Sequence, residues 1–401
     1  MAVPERVVIS GAGCCTALGH DLDSVARSLR EGRDAFRASG ALEGLSVCPA
    51  EDWGQDGARQ QFEGWRHRHY LNRGSRMAVL SGLRALRDAG LEAGLPVRSQ
   101  IIAAVGPMLD VTGEPGLPPQ DTATLGALWL LRWLPNTAAG ALARFARCHG
   151  EALTVNAACA SALHEGWRRI RFGLADAVLV AAGDSRLSLG GLLGYHKARA
   201  LSLCAPGTGP RPFDMGRDGF VPGEGGAAFV LESLSSAQAR GAHVHAEILG
   251  YGASVDAESL TAPEARGTWA ELAVRGALEE AGLDAAGLGW LSAHGTGTQL
   301  NDQAESLLWE RLLGDVPGGP AVMAFKSWLG HGSSACGALE LCCALAAWRD
   351  GRMPPVRHLE RPCSARLDFV REPRPFPSSR GLLENFGFGG QNAALAVDLR
   401  P

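Results

Sequence analysis

The chain has 401 residues, 46% of them hydrophobic and 20% charged, with a formal net charge of −4. That is the composition of a globular protein with a substantial core, and the charge provides no general attraction to nucleic acid or anionic membrane. There is no secretory n-region leading into an apolar stretch and no apolar run long enough to span a bilayer, so a soluble, cytoplasmic protein is expected.

In chain order, 6–13 reads as a buried strand entering a tight glycine turn, and a helix follows from Asp21 or Asp23 to about Gly32. Gly11, Gly13 and Gly19 lack the GxGxxG spacing, and no acidic residue follows a second strand where a dinucleotide site needs one. Residues 33–63 read as surface loop. The cluster Arg66, His67, Arg68 and His69, with Arg73 and Arg76 beyond it, is either a dock for an acidic partner or a solvated helix face. An amphipathic helix over 77–91 closes on Ala89-Gly90, a short buried strand covers 101–105, and 106–120 is a Gly/Pro-rich loop. The apolar block 125–134 contains Arg132 and is too short to cross a membrane. It belongs in a core, a subunit interface or a channel wall, and a helix over 137–149 follows it.

The stretch 153–164 runs from a β-branched segment into Asn156-Ala157-Ala158-Cys159, after which Leu163, Trp167 and Ile170 recur at helical spacing. Cys159 therefore opens a helix. Unpaired N–H groups and the helix dipole there favour a thiolate, whereas the plainer alternative is a small buried cysteine between strand and helix. Ten cysteines without a CxxC spacing, two pairs of them adjacent (Cys14-Cys15 and Cys342-Cys343), exclude a zinc ribbon and a secreted disulfide scaffold.

A buried strand over 177–184 and a loop over 189–210 precede Arg211-Pro212-Phe213-Asp214 and a glycine-rich run to Gly226, then a strand over 227–232. The second half repeats the alternation: strand 244–254, helix 268–282, strand 289–293, helix 302–313, strand 321–325, helix 334–349 and a last strand 393–397. This predicts a mostly parallel, helix-covered sheet in each half, with 1–240 and 241–401 as halves of one fused unit. The stretch from Asn156 to Cys159 in the first half rhymes with that from Lys326 to His331 in the second.

Two histidines sit in glycine-rich junctions after predicted strands, His294 in Ala293-His294-Gly295-Thr296-Gly297-Thr298 and His331 in Leu329-Gly330-His331-Gly332. Open α/β sheets place their sites at such strand ends. A cysteine at a helix start with two such histidines supplies a nucleophile and two proton handlers or donors. The glycines of Asn385-Phe386-Gly387-Phe388-Gly389-Gly390 expose backbone N–H groups suited to an oxyanion hole.

With these motifs in order over essentially the full length, the chain resembles the β-ketoacyl-ACP synthases of the thiolase superfamily, in particular the elongating synthases of type II fatty acid and polyketide systems. The resemblance implies an α/β, thiolase-like fold of two pseudo-symmetric βαβαβ-type halves in a five-layered αβαβα core. It implies a Cys-His-His triad of Cys159, His294 and His331, with Lys326 supported by Glu340. Phe388 would gate the nucleophile and lend its N–H to the oxyanion hole, and Thr296 and Thr298 would bind a 4′-phosphopantetheine arm. The expected partners are an acyl carrier protein, docking on Arg66, Arg68, Arg73 and Arg199, and a second ketosynthase-like subunit in a homodimer or heterodimer. No metal or redox cofactor is expected.

Three departures from the family pattern spare the triad: Ser333-Ser334 after His331, Glu384-Asn385 before the Phe-Gly-Phe-Gly-Gly turn, and the Leu/Trp block at 125–134 in place of a basic pair. They point to a specialised pathway. A degradative thiolase would need a second cysteine at 385–392, and an acyl-CoA-using initiator an asparagine for His331. A non-catalytic chain-length partner would lack Cys159.

Overall fold

The strand predicted at the start of the chain does not stop at its glycines. It continues to Cys15 because Gly11 and Gly13 have no Cβ, which lets the helix Arg73–Asp88 press directly onto it. A Cβ built on Gly13 would lie 2.3 Å from the Ser81 carbonyl oxygen. The computed structural model describes residues 5–109, 126–156, 159–315 and 318–400. Most of the loop 106–120, Leu125, and Ala157-Ala158 of the cysteine stretch lie outside these described residues.

The first half contains β1 (Val7–Cys15), α1 (Leu22–Arg30), the short pair β2 (Arg37–Ala38) and β3 (Ser46–Val47), α2 (Gly57–Glu63), α3 (Arg73–Asp88), β4 (Ser99–Val105), α4 (Asn136–Ala146), β5 (Ala152–Val155), α5 (Cys159–Arg171), β6 (Ala177–Ser185), α6 (Leu189–Lys197), β7 (Glu224–Ser233) and α7 (Leu234–Ala239). The second contains β8 (Ala246–Val255), α8 (Thr268–Ala281), β9 (Trp290–Ser292), α9 (Gln299–Leu313), β10 (Ala321–Met323), α10 (Lys326–Leu329), α11 (Cys336–Arg349), β11 (Arg352–Met353), β12 (Arg374–Pro375), β13 (Arg380–Gly387) and β14 (Gln391–Leu399).

Ten strands form one sheet in the order β10-β9-β13-β14-β8-β1-β7-β6-β4-β5. Read outward from the β1–β8 junction, both halves place their strands first, fifth, fourth, second, third, so the sheet repeats about its middle. The junction itself is short and antiparallel, Val7–Ile9 against Ala246–Ile248. Helices α5 and α11 pack against each other and against strands of both halves, while α3 and α4 cover one outer face and α8 the other. The layers are therefore αβαβα, as the resemblance implied. Their central contacts merge into one core containing Trp167, Phe229, Leu339 and Leu395.

The expectation of a mostly parallel sheet is corrected. Only the outer three strands of each half are parallel, β5-β4-β6 and β10-β9-β13, and the inner ones are antiparallel. Between β13 and β14 the chain turns back tightly, and from β6 to β7 it returns without crossing the sheet, so neither link is the crossover a parallel pair requires. Besides several short pieces, three longer elements were hidden in the sequence. Helix α6 lies in the predicted loop 189–210, where three glycines in nine residues mask its pattern. Helix α2 lies within 33–63. Strand β13 carries Glu384 and Asn385 in its buried interior, which hides its apolar run.

The apolar block is not core. Leu128, Trp129, Leu130 and Leu134 are all exposed, around a 3-10 turn at Trp129–Arg132. No helix among the described residues is long and apolar enough to cross a membrane.

Candidate active site

Cys159 is the first residue of α5 and is fully buried. The helix-start argument predicts a lowered thiol pKa, and the structure reverses it. Burial pushes the Cys159 thiol up to about 12, even though the Ala338 N–H donates to its sulfur. Removal from water outweighs the dipole of one helix turn. That N–H donor comes from α11, the equivalent helix of the second half, so the two helix starts meet at the sulfur.

The histidines reach this centre on loops of the second half. Gly295 and Gly297, at φ +40° and +82°, turn the chain after β9. Asp302 then ties that loop down, accepting from the N–H groups of Thr296 at 3.0 Å and Gly297 at 3.1 Å. It also accepts from the Phe213 N–H at 2.7 Å, so the 211–226 loop braces this junction. Glu305, one helical turn further along α9, accepts from the N–H of His294 at 2.5 Å and of Gly295 at 2.9 Å.

Lys326 opens α10 and is 1% exposed. Its Nζ donates to Glu340 Oε1 at 2.6 Å, to the His294 carbonyl at 2.5 Å and to His294 Nδ1 at 3.2 Å. Burial opposes the ammonium charge, but Glu340 outweighs it and holds the Lys326 pKa above its ordinary value. Lys326 therefore donates and His294 Nδ1 accepts. His331 Nδ1 likewise accepts, from the Ser333 N–H at 3.0 Å, with Cys336 Sγ beside it at 3.4 Å. Burial, then the Lys326 charge, holds both imidazoles well below the usual range. Each ring is thus neutral with its proton on Nε2. The two rings stand 5.8 Å apart between centroids, nearly perpendicular.

The supporting residues divide. Glu340 pairs with Lys326 as expected, and Asn385 Nδ2 donates to its second oxygen at 3.0 Å. Thr296 and Thr298 share a hydrogen bond between their hydroxyls at 2.9 Å. Phe388 lies in the β13–β14 turn, 53% exposed, with its ring 6.4 Å from that of Tyr195.

Among the docking candidates, Arg66 and Arg199 are exposed, and Arg68 donates to Glu63 at 2.9 Å. Arg73 also lies at the surface, its side chain 48% exposed, but its guanidinium is already engaged in a bidentate pair with buried Glu224, with Nε 2.6 Å from Oε2, and donates to the Ala50 carbonyl. A guanidinium held this way is a structural tie rather than a free docking charge.

Several residues of the site escaped the sequence reading. Glu305 follows Asp302 by three positions and so lies on the same helix face, a spacing that could have revealed it. Behind His331, Arg186 donates to buried Asp184 at 3.1 Å and to the Tyr195 hydroxyl at 2.7 Å, which in turn lies 3.0 Å from Ser333 Oγ. Asp184 also accepts from the Ser334 N–H at 3.1 Å and lines a cavity of about 690 Å³ with Arg37, Glu51, Met108 and Leu187. These side chains come from three separate elements, and nothing in their spacing joins them.

Proteins similar to this chain match it over nearly its full length. A putative mitochondrial 3-oxoacyl-[acyl-carrier-protein] synthase of Schizosaccharomyces pombe is 32% identical over 98% of both chains. Among solved structures, the ishigamide ketosynthase/chain length factor superposes with a TM-score of 0.88 at 30% identity, over 99% of this chain and 100% of that one. A type II PKS ketosynthase complex with its acyl-carrier protein, AntDE:AntF, shares the fold at 22% identity, with a TM-score of 0.85 and coverage of 99% and 100%. The family models for the N-terminal and C-terminal domains of β-ketoacyl synthase match residues 4–237 and 245–360. Cys159 falls in the first span and His294 and His331 in the second, and the chain belongs to the β-ketoacyl synthase family.

Proposed function

We propose that the protein condenses malonyl units with an acyl chain held on Cys159, both delivered on the phosphopantetheine arm of an acyl carrier protein. The observation that carries this reading is the pair of fixed Nδ1 acceptors, which leaves Nε2–H donors on two adjacent neutral imidazoles.

The chemistry balances without a metal or redox cofactor. Cys159 sulfur attacks the carrier thioester, the tetrahedral oxyanion collapses, and the thiol proton ends on the departing phosphopantetheine sulfur. Malonyl decarboxylation then breaks the C–C bond to the carboxylate and releases CO2. The electron pair forms an enolate, whose oxygen the Nε2–H groups of His294 and His331 stabilise. Neutral donors suit this step, since an imidazolium would protonate the carbanion. Attack on the acyl-Cys159 carbonyl makes the new C–C bond and frees the Cys159 thiolate.

Two surfaces support the partners. The outer edge of β5 has no strand beside it among the described residues, whereas the opposite edge, β10, is covered by 368–370. An open strand edge is a template for pairing, so we assign β5 to the interface with a second ketosynthase-like subunit. Exposed Arg66 and Arg199, with half-buried Arg68 beside Arg66, form the dock for an acidic carrier. The departures at 333–334, 384–385 and 125–134 support a specialised type II polyketide, polyene or fatty acid pathway, located in the cytoplasm.

The test is reconstitution with acyl-carrier and malonyl-carrier substrates. The expected result is a β-ketoacyl carrier with release of one CO2 per condensation, abolished in Cys159→Ala. A Cys159→Ala protein that still extends the chain would refute the reading.

A further inference from the structure

Glu384 and Asn385 are neighbours on β13, so their side chains leave opposite faces of the sheet. Each reaches a carboxyl group that holds the same histidine. Asn385 donates to Glu340, which carries the Lys326 that meets His294 Nδ1. Glu384 accepts from Trp309 Nε1 through Oε1 at 3.0 Å and meets the carboxyl of Glu305. Glu305 grips the His294-Gly295 backbone and also accepts from Asn301 Nδ2 at 3.1 Å.

Glu384 and Glu305 are 0% and 2% exposed. Two carboxyl groups in contact in such surroundings cannot both be ionised. The hydrogen bonds decide which one keeps the charge. Three N–H donors converge on Glu305, whereas Glu384 Oε2 is buried with no partner. A proton on that oxygen, donated to Glu305, satisfies the orphan atom and removes the like-charge contact. We infer that Glu384 is a positioning residue acting as a neutral acid, donating its carboxyl proton to Glu305 and so fixing the single charge that holds the His294-Gly295 backbone.

The neighbouring charges fit this assignment. Asp302 faces Glu305 from the same helix and Lys326 faces it from α10, while Arg217 lies 4.0 Å from Asp302 and Glu340 is paired with Lys326. Burial, reinforced by Glu305, pushes Glu384 well above the usual carboxyl range, and burial raises Glu305 as well.

The kinetic arm of the test rests on the condensation reading, whereas thermal unfolding reads the proton independently. Unfolded glutamates release their protons near pH ~4.3, so a pair that keeps one when folded stabilises fully below that pH and loses this contribution as pH rises toward its own pKa. Glu384→Gln keeps a donor to Glu305 and cannot ionise. Its Tm relative to that of the unmodified protein should therefore climb steadily from pH 5 to 9. In chain extension, Glu384→Ala should lower kcat about tenfold with KM within about twofold, and Glu384→Gln should recover most of that loss and flatten the alkaline limb. If Glu384→Gln follows the unmodified protein's pH dependence in Tm and kcat, or Glu384→Ala keeps full kcat, the proposal falls. Should Glu384→Ala fail to fold, the Gln comparison decides alone. Should the unmodified protein extend no chain, the condensation reading fails while the Tm comparison still decides where the proton lies.

Discussion

The two halves of the sheet share one strand order, and each sends into the middle layer a helix that begins with a cysteine, Cys159 on α5 and Cys336 on α11. Burial pushes both thiols up to about 12. Their surroundings differ. Cys159 lies in the central apolar core with one backbone donor, while Cys336 stands beside His331 and one turn before Glu340. The second half supplies His294, His331, Lys326, Glu340, Asp302 and Glu305, all from the loops and helices that follow its strands. Duplication thus provides two equivalent helix starts at the centre, and divergence of one half's loops provides the charge. A helix start by itself does not make either thiol reactive, so the difference between them must lie in what the facing half offers.

The sharpest way to break the comparison is to disarm the second half without touching the first. Lys326→Ala leaves Glu340 buried and unpaired and removes the donor to His294 Nδ1. Losing one partner of such a pair costs ~3–5 kcal/mol. Denaturant unfolding should show that loss, and chain extension should fall near background. Lys326→Ala with unchanged stability would mean the ion pair is not formed in the folded protein.

How much of this was legible follows the same division. Cys159, His294 and His331 could be found because each sits in a short motif with glycines or small residues around it. The pairing of Glu305 with Glu384 could not, since nothing in the sequence joins the two positions until α9 is packed against β13. The thiolate expectation failed for a related reason. The helix start is local and visible in sequence, whereas the burial that overrides it comes from α11, some 180 residues away. Arg73 looked like part of a basic patch because its partner Glu224 is 151 residues away in the chain.

A smaller effect separates the titrations of the site. Both histidines are held below the ordinary imidazole range by burial, so the folded protein keeps them neutral where the unfolded chain, near pH ~6.5, takes up protons. Their contribution to stability is present above that pH and is lost as pH falls. The Tm difference between the unmodified protein and His294→Asn should therefore shrink between pH 7 and 5, opposite in direction to the Glu384 effect. A difference that stays constant would show that His294 is not buried as a neutral ring.

The smallest expected change lies at the surface of the first half. Arg199→Glu should raise KM for the carrier ~3–10-fold, in a salt-dependent way and without loss of stability. Arg73→Glu should instead destabilise, because its guanidinium serves Glu224. Equal effects on KM from both would return Arg73 to the docking surface.

The central claim is that only one of the two equivalent cysteines carries the acyl chain. Intact-mass and peptide mapping after incubation with an acyl-carrier substrate test it directly. The account predicts one acyl group per chain, on Cys159, retained in Cys336→Ala and absent in Cys159→Ala. Acylation of Cys336, or an acylated Cys159→Ala protein, would contradict it.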